Sequence, residues 1–372
     1  MDLESEKCRE ARKNPLRRFI GRHLVLAGAA ALLGAYYLLR NERAAADYVM
    51  THLTRPWHRL SGGFFGLFPF SVAEWLCALV VVGVLIYLVV VIVRVICQPQ
   101  KLLRIYGALI SLGAGALMVY ALVCWLWGIG FYSYTYTELS GIKTEPLSVE
   151  QLKEVTISFA EAANAAGEGV SRNENGVYSC DIQKTLREAP ALYTGLPGEF
   201  SFLEGPEVRP KALVFSSVMS EMNFTGGFFP FTGEANINVL SPDCFIPSAT
   251  AHELAHQRGV TREQDANFTA VLVCLQSDDI NYVYSGALLA YIHLANALYE
   301  ASYEDWVEAA SYLGENAQRD LAANNKYWAQ YDSKTAEISE LAYTGFLHNQ
   351  GQVLGMRSYG ACVDLLVAYY GS

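Results

Sequence analysis

Three runs of apolar residues in the first third of the chain limit its fold more than any other feature. They extend from about Leu24 to Leu39, from Trp75 to Ile96 and from Ile105 to Phe131. The second and third reach, and the first approaches, the roughly 20 residues that a helix needs to cross hydrocarbon. A buried helix of a soluble protein keeps a polar stripe for solvent. The stretch from Leu79 to Ile86 has none. Tyr36, Tyr37, Trp75, Trp125, Trp127 and Tyr132 lie near the ends of the runs, as rings at a membrane–water boundary do. The expectation is a membrane region over residues 1–132, with about three transmembrane helices (24–39, 75–96, 105–131) in contact with the lipid bilayer.

Charge divides at the same place. Residues 1–132 hold 14 Lys and Arg against 7 Asp and Glu, whereas residues 133–372 hold 13 against 30. A domain this acidic excludes nucleic acid as a partner, because phosphate binding needs cations to release counterions. Lys7, Arg9, Arg12, Lys13, Arg17, Arg18 and Arg22 precede the first run, and Arg94, Lys101 and Arg104 separate the second from the third. Basic flanks stay in the cytoplasm. That gives a multi-pass protein of the cell membrane with a cytoplasmic N-terminus and an extracytoplasmic domain over residues 133–372. Four basic residues in the connection from Arg40 to Phe70 are a weaker signal the other way.

After Tyr132 the pattern is mainly helical with a small strand region, an α+β domain. Helical spacing covers Leu147–Ala166, Ala287–Tyr299 and Trp306–Leu313, and strands are expected at Ala212–Phe215 and Ala235–Val239. No CxxC pair occurs, and no pairing among Cys180, Cys244, Cys274 and Cys362 follows from their spacing.

The chemistry concentrates at His252-Glu253-Leu254-Ala255-His256. On a helix, histidines four residues apart project from one face and can share one metal ion, Zn2+ for this donor type. Glu253 beside them is the expected general base. Gly259 lets the helix stop, and Thr261 with Gln264 reads as the capping box of a second helix. That helix must supply a third ligand, because catalytic zinc sites keep three protein ligands and an open position. Glu263 is the first choice and Asp265 the alternative. Asn267, one turn beyond Glu263, is placed to hydrogen-bond a ligating side chain. A histidine at metzincin spacing is excluded, since Arg262 occupies that position. Tyr282, Tyr284 and Tyr291 are candidate oxyanion donors, and His293, in an apolar helix, reads as a packed core histidine.

The segment Ala251-His252-Glu253-Leu254-Ala255-His256-Gln257-Arg258-Gly259, followed by Glu263-Gln264-Asp265-Ala266-Asn267-Phe268, resembles zinc peptidases of the gluzincin type. More narrowly, it is similar to an uncharacterised bacterial membrane family of zinc-metallopeptidase-like proteins, a domain-of-unknown-function group found in Bacillota and Bacteroidota. The runs Leu60–Ser71, Phe229–Asn236 and Arg357–Gly360 carry the same resemblance; Asp265 departs from it, standing where that family usually has Glu. The resemblance implies three spans, a cytoplasmic N-terminus and a zincin-like extracytoplasmic domain. It also implies an edge strand at Gly233–Leu240 pairing with substrate backbone. The expected function is therefore a membrane-anchored zinc-dependent peptidase acting on a peptide or protein substrate. The alternative is a catalytically inactive zinc-binding sensor or scaffold, without the chemistry that Glu253 would serve. The sequence fixes no oligomeric state.

Overall fold

The structure, a computed structural model, describes residues 18–352 and 359–371. Lys7, Arg9, Arg12, Lys13, Arg17 and Arg357 lie outside them. The described chain begins with helix α1 (Ile20–Leu39), then α2 (Arg43–Val49), a π-helical turn Met50–Thr54 and α3 (Arg55–Phe65). Two long helices follow, α4 (Val72–Cys97) and α5 (Lys101–Leu126). Helices α1, α4 and α5 are each long and apolar enough to cross a membrane. Helices α1 and α5 pack against each other through Leu33, Tyr36, Ala121 and Cys124, the last two being small. Such small residues let two backbones approach. Helix α4 buries only Ala73, and most of its apolar surface from Leu79 to Ile96 is exposed.

The connection between the first two runs has a structure of its own, and one expected span is corrected. The connection from Arg40 to Phe70 is helical, and α3 buries His58, Ser61 and Gly62 against the rest of the protein. The third apolar run stops as a helix at Leu126. A 3-10 turn, Gly128–Tyr132, follows with Gly128, Ile129, Gly130 and Phe131 buried. Their hydrophobicity reflects burial in protein.

The remainder is helical apart from one small sheet. In order come α6 (Tyr136–Ser140), α7 (Val149–Gly167), α8 (Ile182–Glu188), β1 (Lys211–Ala212), α9 (Ser216–Glu221), β2 (Gly226–Phe229) and β3 (Glu234–Ile237). Then follow α10 (Ile246–Gln257), α11 (Glu263–Leu275), α12 (Ile280–Ala301), α13 (Tyr303–Ala310), α14 (Glu315–Ala329), α15 (Lys334–Asn349) and α16 (Tyr359–Tyr370). Ser148 and Gln151 form a capping box at the start of α7, which sets where that helix begins. Helices α7, α10, α11, α12 and α16 enclose one core, with Phe159, Leu254, Phe268, Leu288, Leu294 and Leu366 inside. Cys180, Cys244, Cys274 and Cys362 are free thiols.

The sheet order is β1-β3-β2, with β1 parallel and β2 antiparallel to β3. Strand β3 is therefore central, and the strand expected at the edge is flanked on both sides. The hairpin turning at Gly233 (φ +66°) puts β2 at the edge in its place. The expected strand Ala212–Phe215 pairs only at its start. The Val214 and Phe215 N–H groups are taken by the Glu74 carboxylate of α4.

That contact is half of a reciprocal join. Glu234 of β3 accepts from the N–H groups of Val72 and Ala73 at 3.0 and 2.8 Å, capping α4. A carboxylate there satisfies orphan donors and complements the helix dipole. At the end of α5, Thr54 Oγ1 donates to the Trp125 carbonyl (3.0 Å) and His58 Nε2 to that of Leu126 (2.9 Å). Burial first, and nearby Arg55 next, push His58 down to about 4 despite the Leu126 carbonyl. It is therefore neutral at ordinary pH. Gly62 and Gly233 allow α3 to cross the hairpin: a Cβ on Gly233 would meet His58 O at 2.5 Å.

Two substitutions probe this join. Glu234→Gln should cost about 1–2 kcal/mol, by removing charge at a helix N-terminus and weakening its hydrogen bonds. Gly233→Val should cost about 2–4 kcal/mol, from left-handed strain and overpacking. Thermal unfolding of the full chain in detergent should rank wild type, Glu234→Gln and Gly233→Val in falling order. Three equal melting temperatures would mean that the join contributes no stability.

Candidate metal centre

Helix α10 carries Pro247 in its first turn, where a missing N–H costs nothing. Ser285 of α12 secures its start, accepting from Ser248 N (3.0 Å) and donating to Cys244 O (2.7 Å). The end of α10 is fixed by Gly259 (φ +90°). Gly259 N bonds His256 O, and Val260 N reaches back to Ala255 O. This is a Schellman closure, which needs a left-handed residue at that point. It turns the Val260 carbonyl towards the helix, where His256 Nδ1 donates to it at 2.6 Å. His256 Nε2 is thereby left to face His252 and Glu263.

Helix α11 starts at Glu263 with Arg262 as its N-cap residue, and no side chain caps it. The capping box expected from Thr261 and Gln264 does not form. Thr261 instead packs its side chain against Gly130, where a Cβ would collide with it. The short turn still carries Glu263 to the histidines. Its Oε2 lies 3.2 Å from His252 Nε2 and 3.6 Å from His256 Nε2. One ligand atom from each of the three residues falls within 4.8 Å of the others, and the two imidazole rings stand at 90°. Two imidazole nitrogens and a carboxylate oxygen are the donor set of many catalytic zinc sites.

Charge is coupled tightly here. Burial works against a charged His256, yet Glu263 foremost, then Glu253 and the Val260 carbonyl, outweigh it and lift the imidazole to about 9. Burial likewise opposes ionisation of Glu263, and the two histidines overcome it, holding that carboxyl well below its usual range. Glu253 is raised by burial, with His252 and His256 offsetting part of the effect. Its Oε2 has no hydrogen-bond partner among the described residues. An unpartnered buried carboxylate oxygen beside two imidazoles and a second carboxylate fits a group that is to accept a proton.

A cavity of about 880 Å³ opens over these residues. Asn267 lines it but makes no hydrogen bond to His252, His256 or Glu263. Tyr343 of α15 donates to Glu263 Oε1 instead. Asp265 points away and sits buried beside Arg262 at 3.9 Å; burial, partly offset by Arg262, moves it up to about 6. None of Tyr282, Tyr284 and Tyr291 lines the cavity; the first two donate to Thr185 O and Asp320. His293 is buried, as a core histidine would be, and it also lines the cavity. Burial, then neighbouring His252, push it down to about 4. Trp127, which ends α5, meets His256 edge-on with ring centroids 5.1 Å apart. Sequence reasoning missed Tyr343, which as one of 23 tyrosines carried no signal of its own.

The metal-stripped protein should report this coupling through its stability. His256 is raised above its unfolded value of 6.5, so its contribution is complete below that pH and lost as pH rises through about 9. Glu263 is depressed below 4.5, so its contribution is present above that pH and lost as pH falls. Chelator-treated protein should melt highest between these limits and lose stability towards pH 9. Glu263→Gln should flatten the alkaline decline; an unchanged decline would remove Glu263 as the cause.

Comparison with curated proteins and with solved structures gives no match to this chain. A family model described as "Protein of unknown function (DUF3810)" matches residues 51–367, from the π-helical turn before α3 into α16, with the histidines, Glu253 and Glu263 inside the match. The chain belongs to that family.

Proposed function

We propose that this chain is a membrane-anchored zinc peptidase of the zincin type, with its site on the extracytoplasmic side. The observation that carries the reading is the unpartnered Glu253 carboxylate, buried beside the His252–His256–Glu263 cluster and facing a cavity. His252, His256 and Glu263 would hold the metal. Bound zinc supplies a Lewis acid that polarises a substrate carbonyl and acidifies a water. Glu253 takes the proton of the attacking water and returns it to the leaving amine. Its raised affinity for protons suits that task. Val260 O and Trp127 hold the His256 ring, and Tyr343 holds Glu263.

Strand β2 is the outer strand of the sheet among the described residues and lines the cavity. An extended peptide can add there by backbone pairing. The arrangement of basic residues supports the orientation. Arg94, Lys101 and Arg104 lie at the ends of α4 and α5 remote from the sheet, as a cytoplasmic flank would.

The competing reading is a zinc-binding sensor or scaffold without turnover. A closed structural site needs no general base, so an orphaned Glu253 favours the enzyme. Purified full-length protein should hold about one zinc per chain by elemental analysis. His256→Ala and Glu263→Ala should lose it. Glu253→Gln should keep the metal and cleave a proteome-derived peptide library about 10²–10⁴-fold more slowly. Zinc bound without any cleavage by the wild type would favour the scaffold; no zinc after reconstitution would sink both readings.

A further inference from the structure

Taking the peptidase reading as its basis, the cavity wall says which substrates would enter. Met219, Met222, Phe224, Phe228, Phe231 and Phe346 give it six large apolar side chains, and among the described residues no Lys or Arg lines it. Its acidic groups are Glu253 and Glu263, both at the metal cluster. Away from the metal cluster, no described side chain in the wall would neutralise a substrate carboxylate. The volume, about 880 Å³, accommodates several large side chains.

Part of the same wall comes from a membrane-length helix. Val123 and Trp127 line the cavity, and Val123 lies one turn inside the end of α5. Around this end the protein exposes an apolar collar. Trp57, Leu60 and Phe64 occupy one face of α3 at i, i+3 and i+7, and Leu67, Val214, Phe215 and Val218 continue it beside α4. Phe215 packs against Trp75 of α4 at 5.7 Å between ring centroids. Exposed apolar area of this extent is unusual on a water-facing surface. Collar and cavity are joined: Trp57 Nε1 donates to Pro230 O, and α9 with its cap presents Val218 to the collar and Met219 and Met222 to the cavity.

We infer that the cavity takes an extended peptide segment with large apolar side chains, delivered from the bilayer surface. The collar seats the domain in the headgroup layer, so a segment emerging from the membrane reaches the cavity along α9 without crossing bulk water. Strand β2 then pairs with its backbone, while the methionines and phenylalanines receive its side chains.

Binding rather than turnover tests this, so that it can fail separately from the peptidase reading. Zinc-loaded Glu253→Gln in nanodiscs is titrated by fluorescence anisotropy with two fluorescein-labelled decapeptides, one centred on Leu-Phe and one on Ser-Asp. The Leu-Phe probe should bind at least about tenfold tighter, a difference of about 1.4 kcal/mol. Met222→Asp, at a partly exposed position, should erase the preference. Equal affinities, or a preference that survives Met222→Asp, would overturn the inference even if wild type cleaves peptides. Delivery is read by adding a palmitoyl anchor to the Leu-Phe probe through spacers of graded length. A spacer of about three residues, reaching about 10 Å, should already raise affinity about tenfold or more, as tethering does. A gain that appears only beyond about ten residues, or about 35 Å, would place the cavity away from the headgroups and overturn delivery from the bilayer. Selective Leu-Phe binding together with an uncleaved library would leave the inferred cavity standing and the peptidase reading fallen.

Discussion

A membrane-length helix that ends against a folded domain leaves its terminal backbone groups in need of partners. The way this chain supplies them fixes much else. Glu234 closes the start of α4, and Thr54 and His58 close the end of α5. Glu234 belongs to the central strand of the sheet, and α10 packs on that strand. The height of the two histidines above the helix ends is therefore set by one carboxylate and one hairpin. Glu74 reinforces the geometry from the other side by accepting from the chain after β1. Both directions of this exchange use carboxylate acceptors, and charged acceptors make the stronger bonds.

The candidate centre depends on a second, more local constraint. Gly259 must be left-handed to end α10, and a side chain there would meet Arg55 Nε at 2.7 Å. Because the chain turns there, Val260 offers its carbonyl to His256 and α11 begins soon enough for Glu263 to face both imidazoles. A single backbone conformation thus sets the orientation of one proposed ligand and the position of another. The membrane-length helices α1 and α5 add a third support from a distance. Gln350, at the end of the helix bearing Tyr343, accepts from Tyr36 of α1 and bonds Cys124 of α5. The hydroxyl on Glu263 is accordingly placed by a helix whose far end rests on α1 and α5.

How much of this the sequence disclosed follows from the range of each interaction. Apolar length and the four-residue spacing of His252 and His256 are local properties, so the helices α1, α4, α5 and α10 were legible with small errors at their ends. Glu263 was legible because a glycine and a short turn leave few directions for the next helix. The helical character of residues 43–65 was not, since α3 alternates buried His58 and Gly62 with exposed Leu60 and Phe64. That pattern makes sense only beside a sheet more than 150 residues later in the chain. The central place of β3 depended on β2, whose Gly-Gly-Phe-Phe sequence has little strand signal of its own. Tyr343 is one of 23 tyrosines, and only the packing of α15 over the cavity distinguishes it. Thr261 misled for a physical reason: a hydroxyl that could have capped α11 lies against Gly130 instead.

Glu253 and Gly226 connect the proposed base to the proposed binding edge. A Cβ at position 226 would meet Glu253 Cγ and Oε1, each at 2.9 Å, so the carboxylate lies directly against the backbone of β2. The residue must be small for the base to fit, and β2 must be an edge for a substrate to lie alongside it. Both conditions hold on the same strand. A peptide paired with β2 would run its backbone past Glu253 and the ligand cluster, bringing a carbonyl within reach of both without further rearrangement. The base would then act on a water confined between strand, metal ligands and substrate. Exclusion of bulk solvent there strengthens every charge interaction involved. The burial that raises the proton affinity of Glu253 is thus produced by the strand that would hold the substrate, and one piece of packing serves both basicity and alignment.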